Sequence, residues 1–292
     1  VVVLSWYQAQ DLLAARAASK ATARVSLDLN RSKTTVAMDE QGVQLPDGSH
    51  VGWDDIEEIY EDRKHCYYWD GRAFQRIQVF SEQTRLMRTL FPTASAPTMM
   101  VSGFPMHRIK GSDPYRDTIT KLNALGRLAN CRLLDTATGL GYTAIEAARR
   151  GARVVTVEID LAAVEIARLN PWSQELFEGY LSERIERVVG DARDVVAQAP
   201  DRSFHAILHD PPSIQLAGEL YSTDLYRGFA RILRDSGRLF HYTGDPQSAL
   251  GERTTRSVMR RLHEAGFSVV RRVPEAFGVV AEKSVRPYRR RK

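Results

Sequence analysis

The stretch Leu133-Leu134-Asp135-Thr136-Ala137-Thr138-Gly139-Leu140-Gly141-Tyr142-Thr143 runs from apolar residues through an acid into a small-residue loop, then into the apolar-periodic segment Ala144 to Arg150. The pattern predicts a strand, a tight turn and the start of a helix. Glycine has no Cβ, so backbone N–H groups in such a turn can approach a ligand closely. Working outward, Val154 to Asp160 reads as a second buried strand ending in the acids Glu158 and Asp160. Gly190-Asp191-Ala192 ends a third, and His209-Asp210-Pro211-Pro212-Ser213 ends a fourth. Open α/β sheets bind ligands in the crevice at the C-terminal ends of their strands.

The acid about twenty residues after the loop suits the hydroxyls of a ribose. A dinucleotide site fits less well. Its fingerprint wants a third glycine where Ala144 stands, and Asp135 ahead of the loop would repel a pyrophosphate. An acid at that point suits a ligand bearing a cation.

Residues 131–282 resemble a class I S-adenosylmethionine-dependent methyltransferase. Asp135 to Gly141 resembles the family's first motif, with Ala137 replacing one glycine. The resemblance implies a donor site made by Asp135, Thr136, Ala137, Thr138, Gly139, Gly141, Tyr142 and Thr143. It implies Glu158 at the ribose, followed by Ile159, and Asp191 with Ala192 at the adenine. Asp210-Pro211-Pro212-Ser213 resembles the fourth motif, which in the family holds the acceptor. The whole chain also resembles a group of methyltransferases recognised by sequence, with a β-rich N-terminal segment and often grouped with spermidine synthases. Phe104 to Lys110 and Leu169 to Ser173 are the marks of that group.

The implied fold class is α/β: a Rossmann-like methyltransferase sheet, mainly parallel with an antiparallel C-terminal hairpin, plus a small N-terminal α+β domain. The expected divisions are a β-rich domain over 1–96, a connector and lead-in helix over 97–130, the methyltransferase domain over 131–284 and a basic tail over 285–292.

At 292 residues the chain can bury a sizeable core. An apolar fraction of 43% and a charged fraction of 26% are ordinary for a globular protein. No stretch reaches the roughly eighteen apolar residues of a membrane span, so no membrane partner is expected. The chain opens on Val1-Val2-Val3-Leu4, without a signal-peptide pattern and without an initial Met, which leaves room for a preceding piece. Cys66 and Cys131 alone give neither a metal-like pair nor a disulfide framework, so no metal and a reducing cytoplasm are expected. The formal charge of +5 resides in Arg286, Arg289, Arg290, Arg291 and Lys292, which leaves the body formally neutral. Such a tail offers weak, sequence-independent contact with nucleic acid, or serves only as a solubilising terminus.

Along the chain, residues 5–20 predict a helix, and Val25–Leu29 and Thr34–Met38 predict strands. Leu45 to Ser49 and Tyr67 to Arg72 predict hairpins, Trp53 to Tyr60 a helix, and 76–80 a strand. Asp113-Pro114 predicts a helix start, with Asp as cap and Pro at the first position. Strands and helices then alternate, which implies right-handed crossovers and a mainly parallel sheet. A helix over 253–265, stopped by Gly266, and strands over 268–273 and 279–282 complete the pattern.

Methyl transfer requires alignment of nucleophile, methyl and sulfur with exclusion of water. Two prolines fix φ and stiffen the backbone, so the carbonyls after Asp210 point in set directions. In families with this motif the acid and a following carbonyl accept hydrogen bonds from a target amine. Ser213 stands where an aromatic residue often stacks on a base. His209 or His241 could serve as a base or simply be hydrogen-bonded in the sheet. Tyr221 and Tyr226 could line a pocket mouth or belong to the core. His107, Arg108, Lys110, Asp113 and Tyr115 form a polar cluster that could act as a lid. The expected activity is methyl transfer from S-adenosylmethionine to a nitrogen of an RNA base or a small amine. Alternatives are polyamine aminopropyl transfer and a nucleotide-binding module without turnover. The sequence leaves the oligomeric state open.

Overall fold

The computed structural model describes residues 1–283, so the expected basic tail lies outside the described residues. The chain divides into two compact units, Val1–Arg116 with Asp160–Phe177, and Asp117–Ile159 with Glu178 onward.

The first unit is antiparallel. Strands Thr22–Val25, Thr34–Met38, Gly42–Gln44 and His50–Gly52 form one meander, and Val3–Leu4, Tyr67–Trp69 and Phe74–Arg76 a second sheet. Helices Trp6–Ala17 and Trp53–Glu61 bury Leu12, Ile56 and Ile59 among Val25, Val36 and Val51. Ser5 and Gln8 close a reciprocal capping box at the first helix. Three local expectations shift. The strand ends at Val25 instead of continuing to Leu29, because the Ser26 hydroxyl accepts from the N–H groups of Asp28 and Asn30 and turns the chain, with Leu29 and Asn30 at positive φ. The strand expected over 76–80 is two, Phe74–Arg76 and Gln78–Ser81, parted at the fully buried Ile77. The stretch after Pro97, read as a connector, pairs Thr98–Val101 with Leu86–Phe91 and with Phe104–Pro105.

In the second unit, β1 (Arg132–Asp135), β2 (Arg153–Glu158), β3 (Ile185–Val189), β4 (Phe204–His209), β5 (Leu233–Tyr242), β6 (Val269–Val273) and β7 (Gly278–Glu282) form one sheet. Its order is β3-β2-β1-β4-β5-β7-β6. The first five strands pair in parallel, and β7 runs antiparallel to both neighbours. The sheet is therefore Rossmann-like, with the expected C-terminal hairpin. β2 and β4 are near-continuous apolar runs because both faces are covered, as parallel sheets require.

Helix α1 (Pro114–Leu125) starts as predicted, with Asp113 Oδ1 accepting from the N–H groups of Tyr115 and Arg116. Around the sheet lie α2 (Tyr142–Arg149), α4 (Ala192–Gln198), α5 (Thr223–Ile232) and α6 (Ala249–Glu264), while α3 (Leu161–Leu169) belongs to the first unit. Asp160, Asp191, Ser222 and Ser248 cap α3 to α6 in turn. Tyr226, Phe229, Ile232, Leu239, Val258 and Leu262 pack into one core with β1, β2 and β4 residues. Among the described residues no helix is long and apolar enough to cross a membrane.

Candidate functional site

β1 delivers Asp135 to the strand end with no exposed surface. Its Oδ2 accepts from the hydroxyls of Thr143 and Thr156, each at 3.0 Å. Its Oδ1 is buried and makes no hydrogen bond among the described residues. Burial pushes this carboxyl up to about 7, and repulsion from Asp210 adds to the effect, against the bonds from the Thr156 and Thr143 hydroxyls and the Ala137 N–H. A buried acceptor of this kind costs free energy until a donor meets it.

The loop after Asp135 is pinned from below. Thr136 N–H donates to Leu208 O and Thr138 N–H to Val157 O, while the hydroxyls of Thr138 and Thr156 bond at 2.7 Å. Gly139 at φ +52° and Gly141 at φ +76° take left-handed conformations open to glycine at little cost. Gly141 precedes α2, whose first residues Tyr142 and Thr143 present the helix N-terminus to the loop. At the end of β2, Glu158 Oε2 accepts from Gly139 N–H at 2.8 Å, which joins two strand ends. Ile159 beside it is 45% exposed, an apolar surface suited to a flat ring.

Asp191 caps α4 through Arg193 N–H and is also gripped by the Arg193 guanidinium at 2.6 Å. The Arg193 bond lowers its pKa. Ala192, next to it, is buried.

At the fourth strand end, Asp210 lies 2.5 Å from Lys121 Nζ, and the same nitrogen is 2.7 Å from Asp117. Lys121 also sits over the Tyr242 ring, 4.8 Å from its centroid. Burial alone would lower the lysine pKa, but Asp210 and Asp117 raise it above the ordinary value, so the ammonium is kept. Pro211 is buried, and Pro212 and Ser213 are exposed. The Pro212 carbonyl, expected to be available to an acceptor, accepts from the Tyr221 hydroxyl at 3.0 Å. The Ser213 carbonyl is taken by the turn N–H groups of Leu216 and Ala217.

His209 and His241 are core residues. His209 Nε2–H donates to Leu220 O at 2.9 Å, which leaves Nδ1 to accept from the Thr136 hydroxyl at 2.6 Å. His241 Nδ1–H donates to Tyr242 O at 2.7 Å and Nε2 accepts from Tyr226 at 2.8 Å. Burial pulls His209 down to about 4 and His241 well below its ordinary value. Both rings are neutral with both nitrogens engaged, so neither is placed to act as a base. Tyr221 and Tyr226 are buried with them and form no pocket mouth. Of the expected polar cluster, His107 bonds Thr98, Asp113 caps α1, and Tyr115 tilts against Trp172. Trp172 in turn donates to Leu29 O, and Asn170 donates to Ser173.

Lys121, Asp117 and Arg193 are the site-side residues missed from sequence. In sequence, an Asp and a Lys four residues apart on a helix look like any surface ion pair. The available signal was that they share a helix stripe with Leu122 and Leu125, all four fully or almost fully buried. Among the described residues, no group of three or more His, Cys, Asp or Glu could hold a metal ion.

A family described as "Conserved hypothetical protein 95" matches residues 113–224. The chain is 40% identical over 265 residues to the uncharacterized protein MJ1233 of Methanocaldococcus jannaschii, covering 89% of this chain and 88% of that one. It is similar in fold to a spermidine synthase solved in complex with the transition-state analogue AdoDATO, with TM-score 0.59, 18% identity, and coverage of 80% and 86% of the two chains. It is also similar to spermidine synthase from Thermotoga maritima, with TM-score 0.55, 17% identity, and coverage of 78% and 83%.

Proposed function

The chain belongs to the family of the Methanocaldococcus jannaschii protein MJ1233, and we propose that it transfers a methyl group from S-adenosylmethionine to a nitrogen of an RNA base or a small amine. The observation that supports this most is the buried, unmatched Oδ1 of Asp135 beside a glycine loop, with Glu158 at the next strand end. Asp135 is suited to the amino group of the donor, and Glu158 to its ribose hydroxyls. Gly139 and Gly141 let the backbone come close to it. Ile159 offers an apolar face to the adenine, with Asp191 and Ala192 at its edge.

When bound, S-adenosylmethionine supplies a methyl group on a sulfonium. Asp210, ion-paired with Lys121, accepts an N–H from the acceptor and so directs the nitrogen lone pair at that methyl. The new bond is N–C; the broken bond is S–C, whose electron pair returns to sulfur. The proton lost from the nitrogen leaves past the solvent-exposed edge of Asp210.

Calorimetric titration with S-adenosylmethionine and with its decarboxylated form tests this reading. The expected outcome is binding of the first, weakened about 10–100-fold in Asp135→Ala and in Glu158→Ala, as loss of a charge-assisted bond implies. Absence of binding in the wild-type chain would overturn it. A second reading, aminopropyl transfer, draws on the fold likeness to the spermidine synthases. Preference for the decarboxylated donor would establish that reading instead. Against it, Asp210 already holds an ammonium.

A further inference from the structure

At the opposite end of the strands from Asp135 and Asp210, the sheet is cationic. The lead-ins and first residues of the five parallel strands, 127–132, 150–153, 183–185, 201–204 and 233–235, hold seven arginines against three acids, Glu183, Asp201 and Asp235. Two of these acids are already taken, Asp201 by Arg231 and Asp235 by Arg202. Arg150 pairs with Glu146. The excess therefore falls on Arg127, Arg132, Arg153, Arg184 and Arg234. None of these five has a carboxylate within ion-pair distance among the described residues.

The charges are set side by side. Arg132 opens β1 and Arg153 opens β2, and the two are direct neighbours in register. Val154 N–H donates to Arg184 O, which continues the row just ahead of β3. Asn130 N–H donates to Gly151 O, which folds the loop carrying Arg127 against the start of β2. Neighbouring strands lie about 4.8 Å apart, and like charges directly opposite one another destabilise a strand pair. Arg127, Arg132 and Arg153 are exposed, so water screens this repulsion but no counter-charge removes it. On the other side of β1, His205 Nδ1 accepts from Arg132 N–H at 3.0 Å, and burial, with the charge of Arg234 adding to it, lowers the pKa of that ring.

Beside the row stands an open aromatic ring. Tyr180 is 66% exposed, and its hydroxyl accepts from Arg184 Nη2 at 2.7 Å and from Nε at 3.1 Å. These bonds fix the ring at the surface next to the guanidinium. Guanidinium forks match phosphate oxygens, and an exposed ring offers a stacking surface to an unpaired base. A base inside a duplex has no free face to stack. An acidic protein segment would use the arginines without needing the ring.

We propose that this end of the sheet is a binding surface for single-stranded RNA, with Arg132, Arg153 and Arg184 on its phosphates and Tyr180 against a base. The surface follows from charge and exposure. The choice of RNA rests on the acceptor class in the methyl-transfer reading.

The test is fluorescence anisotropy of a labelled single-stranded RNA of about twelve nucleotides, titrated with the full chain at about 50 to 200 mM salt. Binding that weakens steeply with salt is expected. Arg132→Gln/Arg153→Gln should weaken it at least tenfold and make the salt slope shallower by about 1.4, the share of two phosphate contacts on a single strand. Tyr180→Ala should weaken it about tenfold with the slope unchanged. The basic tail is common to all these chains, so the differences report the sheet end. The arginine variants lose a like-charge contact and should melt no lower than wild type at low salt. Absence of RNA binding by wild type at the lowest salt, an unchanged affinity and slope in the double arginine variant, an unchanged affinity in Tyr180→Ala, or tighter binding of polyglutamate of the same length overturns the inference. S-adenosylhomocysteine is titrated into the same chains by calorimetry, and its affinity should be the same in all of them. Its failure to bind wild type would strike the donor reading and leave a measured RNA surface standing.

Discussion

Asp135 works against the stability of the unliganded chain. Its folded pKa of about 7, against an ordinary 3.8, arises mainly from burial. A raised carboxyl pKa means that the folded state holds the proton more tightly than the unfolded one. Stability is therefore greatest below about pH 4 with respect to this group, falls as pH rises towards 7, and stays lower above it. The cost of the ionised form is roughly 3–5 kcal/mol. Asp135→Asn is expected to stabilise the unliganded chain by about 1–3 kcal/mol at pH 8.5, because the new amide brings its own unmet donor. The gain should shrink as pH falls towards 4, as urea titrations across that range would reveal. The same group sets the pH dependence of the donor. Affinity for S-adenosylhomocysteine should fall about tenfold per pH unit below 7 and level off above it. A flat affinity between pH 5.5 and 8 would contradict the role given to Asp135. His209 stays neutral until about pH 4 and adds no second limb in this range.

At the scale of elements, a buried ion pair holds the start of α3. Asp160 is 1% exposed, caps Ala162 N–H at 3.0 Å, and is bound by Arg88 Nε at 2.6 Å and by the Thr84 hydroxyl at 2.9 Å. All of these residues belong to the first unit. Burial would raise the Asp160 pKa, but the Arg88 and hydroxyl bonds lower it below its ordinary value. Arg88→Met removes a cationic partner from a buried carboxylate, which costs about 3–5 kcal/mol at neutral pH. A lowered carboxyl pKa contributes stability above the unfolded value and loses it as pH falls. The difference between wild type and Arg88→Met should therefore narrow as pH falls, and vanish only below the lowered folded value of Asp160, itself under 3.8, where the group is protonated in both. Equal melting temperatures for the two chains at pH 7 would show that the pair contributes nothing. Elements with strong local signals, such as α1 behind Asp113-Pro114, were legible from sequence because capping is decided within a few residues. The strand end at Val25 was not, since it depends on the Ser26 hydroxyl capturing the N–H groups of Asp28 and Asn30 rather than on the apolar alternation.

At the scale of the whole molecule, residues far apart in sequence converge on one sheet edge. A ligand bound there stabilises the folded chain by mass action, by about 2.7 kcal/mol at a hundredfold excess over Kd. With S-adenosylhomocysteine at that excess, amide exchange should slow at 135–143, at Glu158 and Ile159, and at Asp191 and Ala192. Protection confined to other segments would place the donor elsewhere.

The sequence alone determined the alternation of strands and helices, and hence the parallel order of the sheet. It also determined that Asp135, Glu158, Asp191 and Asp210 lie at strand ends, because hydrophobic period and turn chemistry are local properties. Tertiary structure alone decided the partners of those acids. Asp210 meets Lys121 from a helix 89 residues earlier, and Thr136 meets His209 across 73 residues. Such pairings depend on which faces pack together. A buried lysine looks like a solvated one in sequence until the fold removes its water and sets carboxylates and an aromatic ring in its place.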